Sequence, residues 1–159
     1  MQLENAIATS PAPSVPERLK DRLVLSTTCA FTKHEYELFS IAFSALDKAL
    51  QSSPSPSLGI HAWVIFTDTD TVSICDPPED RALGRYLSII TYNLQRIRAA
   101  KYNDIQFLTV ALEELCHCFW CIRDELAVED KVLELMHLIF PALQKSDLYN
   151  LDWSPVCHK

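Results

Sequence analysis

Residues 111–125 read Ala111-Leu112-Glu113-Glu114-Leu115-Cys116-His117-Cys118-Phe119-Trp120-Cys121-Ile122-Arg123-Asp124-Glu125. Apolar residues recur through this stretch at spacings of three and four, which predicts a helix with one face packed in a core. The members of the predicted face are Ile105, Leu108, Leu112, Leu115, Phe119, Ile122 and Leu126. No other part of the chain combines such a core face with as many chemically capable side chains.

A second stripe runs beside the core face and carries polar groups. Its members, again three or four residues apart, are Val110, Glu114, His117, Cys121 and Glu125. On a helix, residues at these spacings are neighbours. Glu114 and His117 are therefore within reach of one ion, and so are Glu113 and His117. Taken singly, Glu113 and Glu125 are also compatible with a solvated helix face.

The segment Glu113-Glu114-Leu115-Cys116-His117 resembles the His-Glu-x-x-His helix of zincin metalloproteases, with the first histidine replaced by Glu113. In that family the two histidines bind zinc and the glutamate activates the zinc-bound water. The resemblance implies that His117 is a metal ligand, that Glu113 takes the missing ligand's position, and that Glu114 is the catalytic base. It implies a zincin-like domain that binds a divalent metal, with zinc as the first candidate. Such a domain would be either an enzyme or a degenerate metallohydrolase.

A second motif, Glu134-Leu135-Met136-His137, repeats the Glu-x-x-His spacing of Glu114 and His117. If the chain reverses between Asp124 and Ala127, residue 114 faces 137 and residue 117 faces 134. The pair then resembles the di-metal carboxylate site of ferritin-like proteins, for which Glu37 is a further candidate ligand. We expect such a break, because an unbroken helix here would run to about forty residues without a cap. Without the break, the two motifs point to opposite sides.

The cysteines offer an alternative. Cys118-x-x-Cys121 has the spacing of a zinc knuckle, and Cys157 with His158 could complete four ligands. Paired metal-binding cysteines usually lie on turns, however, whereas this pair lies in a strong helical pattern. That context favours a packing role for Cys116 and Cys118.

The residues before this stretch predict a mixed fold. Thr32 and Glu35 form a capping box, and the apolar spacing after them predicts a helix to about Gln51. Residues 22–29 predict a strand, and residues 61–66 and 71–75 predict a β-hairpin. An apolar stripe at helical spacing predicts a further helix from Leu83 to Ala100.

This order of elements predicts an α+β fold, in which a small, mainly antiparallel sheet of two or three strands carries four to five helices. The last two long helices are expected to form a C-terminal helical hairpin. We expect a single domain over residues 18–145, with a flexible tail before it (1–17) and another after it (146–159).

Composition limits the possible functions. The 159 residues carry a formal net charge of -7, which argues against nucleic acid and anionic membranes as partners. Six cysteines without a secretory leader predict reduced thiols and a cytoplasmic location. The main alternative to a metalloprotein is a non-enzymatic interaction or regulatory domain that binds an unidentified protein or peptide. The sequence leaves the choice between these, and enzyme status, open.

Overall fold

The structure is a computed structural model that describes residues 2–3, 12–52, 61–72, 74–75 and 88–149. Several predicted features lie outside the described residues. They are most of the N-terminal tail, the helix start at Leu83, and residues 150–159 with Cys157 and His158. A 3-10 turn spans Glu17–Leu19. The strands and helices are β1 Gln2–Leu3, β2 Leu23–Thr27, α1 Lys33–Ser52, β3 Ala62–Thr67, β4 Ile74–Cys75, β5 Ser88–Asn93, α2 Leu94–Ala100, α3 Asp104–Trp120, α4 Glu125–His137 and α5 Lys145–Leu148.

The fold is α+β overall, but its three-stranded sheet is entirely parallel, in the order β2-β3-β5. The prediction of a mainly antiparallel sheet is therefore wrong. The expected hairpin of residues 61–66 and 71–75 is also absent, because β3 pairs with β2 and β5, whereas β4 pairs with β1. Parallel partners need a long crossover, and α1 supplies it between β2 and β3.

β5 replaces part of the predicted helix from Leu83 to Ala100. Residues 88–93 are extended and pair with β3 over its whole length, and only Leu94–Ala100 is helical. The segment Ser-Ile-Ile-Thr-Tyr-Asn is rich in β-branched and aromatic residues, which pack well on a sheet. Asn93 ends the strand and caps α2, because its side chain accepts a hydrogen bond from the backbone N–H of Arg96 at 3.0 Å.

The helices cover one face of the sheet and share one core with it. Phe39 of α1 lies at the centre of this core, fully buried. Its ring centroid is 4.7 Å from that of Phe66, 5.0 Å from that of Tyr92 and 5.0 Å from that of Phe107. These contacts join α1 to β3, β5 and α3. On the opposite face of the sheet, Trp63 and Ile65 are buried, and Val72 packs against them.

α1 begins with the predicted capping box, which the structure confirms. The Glu35 carboxylate accepts from the Thr32 backbone N–H at 2.7 Å, and the Thr32 hydroxyl accepts from the Glu35 N–H at 3.2 Å. Glu35 is buried and also receives two hydrogen bonds from the Arg98 guanidinium, at 2.6 and 2.8 Å. Burial alone would raise the pKa of Glu35, but the bonds from Arg98 and Thr32 outweigh it, and the pKa lies below its ordinary value.

The predicted break after the opening stretch is confirmed, a few residues earlier than expected. α3 ends at Trp120 and α4 begins at Glu125, and the two helices are bent by 111°. They cross rather than lie antiparallel, so the predicted facing of residue 114 with 137 and of 117 with 134 is wrong. Among the described residues, no single helix has the length and apolarity to cross a membrane; only this bent pair, taken together, meets the length and composition criteria.

The Glu35–Arg98 pair gives a first prediction. Arg98→Met should lower the free energy of unfolding at pH 7 by about 1–3 kcal/mol, because it leaves a buried carboxylate without its main partner. Since the folded pKa of Glu35 is depressed, the pair's contribution is present above its ordinary value of 4.5 and is lost as pH falls through the lower folded value. Urea unfolding of both proteins between pH 3 and 7 measures this.

Lys33→Met is the matched control, because the Lys33–Glu37 pair is exposed on the same helix. It should change the free energy of unfolding by less than about 0.5 kcal/mol. If Arg98→Met lowered the free energy of unfolding by no more than this control does, the Glu35–Arg98 pair would not stabilise the fold.

Candidate metal site

α3 is a well-capped helix that holds three of the sequence-predicted site residues, Glu113, Glu114 and His117. The Asn103 side chain accepts from the Gln106 N–H at 3.0 Å, and the Gln106 side chain accepts from the Asn103 N–H at 3.0 Å. The inner face of the helix is buried in the core; its members are Phe107, Leu108, Thr109, Ala111, Leu112, Leu115, Cys116 and Phe119. This packing fixes the rotation of α3 and leaves Glu113, Glu114 and His117 outside the buried face.

The turn between α3 and α4 returns the chain to the site. Cys121 has a left-handed backbone conformation with φ 54°, which ends α3. Asp124 then caps α4, because its side chain accepts from the Ala127 N–H at 2.8 Å. The first residue of α4 is therefore Glu125, and its carboxylate Oε2 lies 3.6 Å from Nε2 of His117.

Glu113, His117 and Glu125 form a cluster of three potential metal ligands. One side-chain ligand atom from each lies within 4.8 Å of those of the other two. Glu113 and His117 are half-buried and Glu125 is exposed. In the part of the chain that the structure describes, this is the one group of three or more His, Cys, Asp or Glu side chains with such spacing.

The His117 ring is oriented by a backbone carbonyl in the turn. Its Nδ1 lies 2.7 Å from the carbonyl oxygen of Ile122, and a carbonyl can only accept. Nδ1 therefore carries a proton and donates it, which fixes the tautomer of the neutral ring. In the neutral ring the lone pair is then on Nε2, which faces Glu125, as in metal-binding histidines held by a second hydrogen bond.

The electrostatics of the cluster disfavour the ionised form of the Glu113 carboxyl. Burial, and then the negative charge of the neighbouring Glu114, raise the pKa of Glu113 to about 7. Glu125 raises it as well, whereas His117 acts in the opposite direction. A cation among these groups would reverse this balance, since it favours every ionised carboxylate around it.

A groove of about 1060 Å³ opens beside the cluster. All three members of the cluster line it together with the exposed Glu114, and its other walls come from the end of β5, from α2 and from the segment around Asp70. Tyr92 joins β5 to the site helix, because its hydroxyl donates to the Ala111 carbonyl at 2.6 Å. The wall of the groove and the ligand-bearing turn of α3 are thus tied together.

The structure does not bring Glu134 and His137 into the cluster. The Glu134 carboxylate instead accepts from the Lys131 ammonium at 2.8 Å, and Nε2 of His137 lies 2.9 Å from the Leu143 carbonyl oxygen. The 111° bend between α3 and α4 is the reason, because the predicted facing needed antiparallel helices. Glu37, the further candidate ligand, is also outside the cluster. Its Oε1 lies 3.7 Å from Nζ of Lys33 on α1.

The cysteines of α3 also lie outside the cluster. Cys116 is fully buried in the core, where burial raises the pKa of its thiol well above the ordinary value. Cys118 is half-buried and Cys121 is exposed. The predicted partners of this pair in a zinc knuckle, Cys157 and His158, lie outside the described residues.

The sequence placed Glu125 on the polar stripe with His117, as one of four potential ligands or proton carriers, but the predicted ligand set did not include it. Taken singly, Glu125 was also compatible with a solvated face. The signal was present in the acidic pair Asp124-Glu125, since an Asp before an apolar run marks the start of a new helix. Comparisons of the chain with protein families, curated proteins and solved structures return no match.

The raised pKa of Glu113 predicts a pH-dependent stability of the metal-free protein. In the folded protein the Glu113 carboxyl keeps its proton up to about pH 7. In the unfolded chain it loses the proton near its ordinary pKa of 4.5. Stability therefore falls as pH rises through this window, and Glu113→Gln should remove that fall. We expect the variant to be more stable than the wild type by about 1–3 kcal/mol at pH 8, and much less so at pH 5.

Urea unfolding in the presence of a chelator measures this difference. Glu134→Gln serves as the control, because it removes an exposed carboxylate from α4 and should leave the pH profile of the wild type unchanged. A Glu113→Gln profile that parallels the wild type between pH 5 and 8 would contradict the electrostatic account of the cluster.

Proposed function

We propose that this protein binds one divalent metal ion through Glu113, His117 and Glu125, in a zincin-like site that activates water for hydrolysis. The convergence of their three ligand atoms within 4.8 Å of one another is the observation that carries the proposal. Glu113 and His117 come from the degenerate zincin motif, and Glu125 replaces the pair Glu134 and His137 in the predicted ligand set.

The chemistry of the donors fits such an ion. Two carboxylate oxygens and one imidazole nitrogen are ligands that zinc accepts, and three protein ligands leave a coordination position for water or substrate. The Ile122 carbonyl, 2.7 Å from Nδ1 of His117, leaves Nε2 as the ligand atom. When bound, the ion would supply a Lewis acid and lower the pKa of its water.

Glu114 is the proposed base. It follows Glu113 directly, as the catalytic glutamate follows the first ligand in the zincin motif, and it is exposed in the groove that the three ligands also line. Its carboxylate would accept the proton of the activated water. The groove, at about 1060 Å³, is large enough to hold a small ligand or a few residues of a peptide beside Glu114.

The replacement of a histidine by Glu113 has a consequence for metal choice. An oxygen donor is harder than imidazole, so Mn²⁺ and Fe²⁺ compete with zinc better than they would at a site with two histidines. Binding should therefore be compared for Zn²⁺, Mn²⁺ and Mg²⁺ rather than for zinc alone.

The metal proposal predicts a specific loss of binding. Protein purified without an affinity tag should bind one Zn²⁺ per chain by calorimetry, and His117→Ala should abolish this binding. Glu125→Gln should weaken it at least tenfold, because one of three ligands loses its charge. Metal content by plasma mass spectrometry should follow the same order.

Two control variants separate this site from the other hypotheses. His137→Ala and Glu134→Gln should bind zinc like the wild type, whereas a di-metal site of paired Glu-x-x-His motifs predicts two ions and the loss of both on His137→Ala. Equal metal content in the wild type and His117→Ala would refute the proposed site and favour the non-enzymatic interaction domain.

The base has its own test. Glu114→Gln should keep one zinc per chain but lower the hydrolysis of dye-labelled casein by about a hundredfold or more, the range of general-base catalysis. Retention of zinc shows that the variant is folded. Equal rates for zinc-loaded wild type and Glu114→Gln would remove Glu114 from the mechanism.

A further inference from the structure

Two cysteines lie at the C-terminal end of α3, where the turn to α4 begins. Cys118 is in the last turn of the helix and Cys121 is the residue that ends it. Cys121 is exposed and Cys118 is half-buried. Burial raises the pKa of the Cys118 thiol, so the exposed Cys121 is the first nucleophile. The Cys121 thiol lies 3.8 Å from the Cys118 carbonyl oxygen, so its sulfur is close to the turn that carries Cys118.

The backbone spacing suits a disulfide between these two residues. Residues 119 and 120, which set their separation, are helical. Helix geometry therefore places the two Cα atoms about 5 Å apart, within the range of about 4.4–6.8 Å that disulfides accept. Cys116, by contrast, is fully buried and out of reach of an oxidant.

We propose that Cys118 and Cys121 are a redox-active site that a small disulfide, such as oxidised glutathione, converts to an intramolecular disulfide. The exposed Cys121 thiolate attacks one sulfur of the oxidant and releases one glutathione thiolate. The Cys118 thiolate then attacks the sulfur of Cys121 in this mixed disulfide and releases the second glutathione. Two protein thiols are oxidised, one glutathione disulfide is reduced to two thiols, and the two thiol protons pass to solvent or to the released thiolates.

Closure of this disulfide acts on the site next to it. A disulfide holds its two Cβ atoms about 3.5–4.5 Å apart. Cys121 lies at the helix end in a left-handed conformation, so it is the residue that moves when the bond to Cys118 closes. Ile122 follows it directly, so its carbonyl is displaced from Nδ1 of His117, now 2.7 Å away. The effect on metal binding rests on the proposed function, whereas the disulfide itself does not.

The first measurement is the disulfide. The full-length protein is incubated with mixtures of reduced and oxidised glutathione, and mass spectrometry should show the loss of two hydrogen atoms. Chymotrypsin cleaves after Phe119 or Trp120, so the two fragments should stay linked until a reductant is added. Cys121→Ala should show neither the mass loss nor the linked fragments. Cys118→Ala should instead accumulate a glutathione adduct on Cys121.

Cys116→Ala is the matched control on the same helix and should form the disulfide like the wild type. If the wild type forms no link between the two fragments, or if Cys118→Ala forms one, the redox site is refuted.

The second measurement is the coupling to His117. Oxidation should weaken zinc binding about tenfold in the wild type and leave it unchanged in Cys121→Ala, since loss of a hydrogen bond to a ligating histidine typically has an effect of this size. Equal zinc affinities of the reduced and oxidised wild type would refute the coupling.

If zinc binds neither the reduced nor the oxidised protein, the proposed function fails, but the mass of the oxidised protein still demonstrates the disulfide. The coupling is then decided by the imidazole nitrogen resonances of His117 in the metal-free protein. They should shift on oxidation of the wild type and stay constant in Cys121→Ala, and resonances that stay constant in both would refute it.

Discussion

The complete burial of β3 is the constraint on which the other elements depend. All six residues of this strand are buried, on both faces of the sheet. A strand of this kind needs a partner on each edge and a cover on each face. β2 and β5 supply the edges, α1 and α3 cover one face through the contacts of Phe39, and Val72 packs on the other. The site helix is positioned by the same core, since its inner face is buried against it.

Local signals in the sequence were sufficient for part of this fold. The capping box of Thr32 and Glu35 and the start of α1 involve residues three apart, so they could be predicted without any knowledge of the tertiary structure. The break before α4 could be predicted from the length of the apolar pattern, which is too long for one uncapped helix. The hydrogen bonds of the capping box and of the Asp124 cap each join residues three apart.

The errors come from interactions between distant residues. The pairing of β5 with β3 joins Ile90 to Val64, and no local pattern in residues 88–93 excludes the helix that their apolar spacing also fits. The short connection between residues 66 and 71 favoured a hairpin, yet the β4 that follows pairs with the chain's second and third residues. In the site, Glu113 and His117 could be predicted because they share one helix. Glu125 was on the predicted polar stripe, but its place in the cluster could not be predicted, because it depends on the left-handed conformation of Cys121 and on the 111° bend.

The division of the cluster between two helices affects how the protein opens. Glu113 and His117 belong to α3, whose inner face is in the core, whereas Glu125 is the first, exposed residue of α4. Helix ends held by a single cap open at lower free energy than core segments do. Fraying of the first turn of α4 would thus separate Glu125 from His117 while the sheet and α3 stay folded. Hydrogen exchange at the amide of Ala127, whose N–H is held by Asp124, would report this local opening separately from global unfolding.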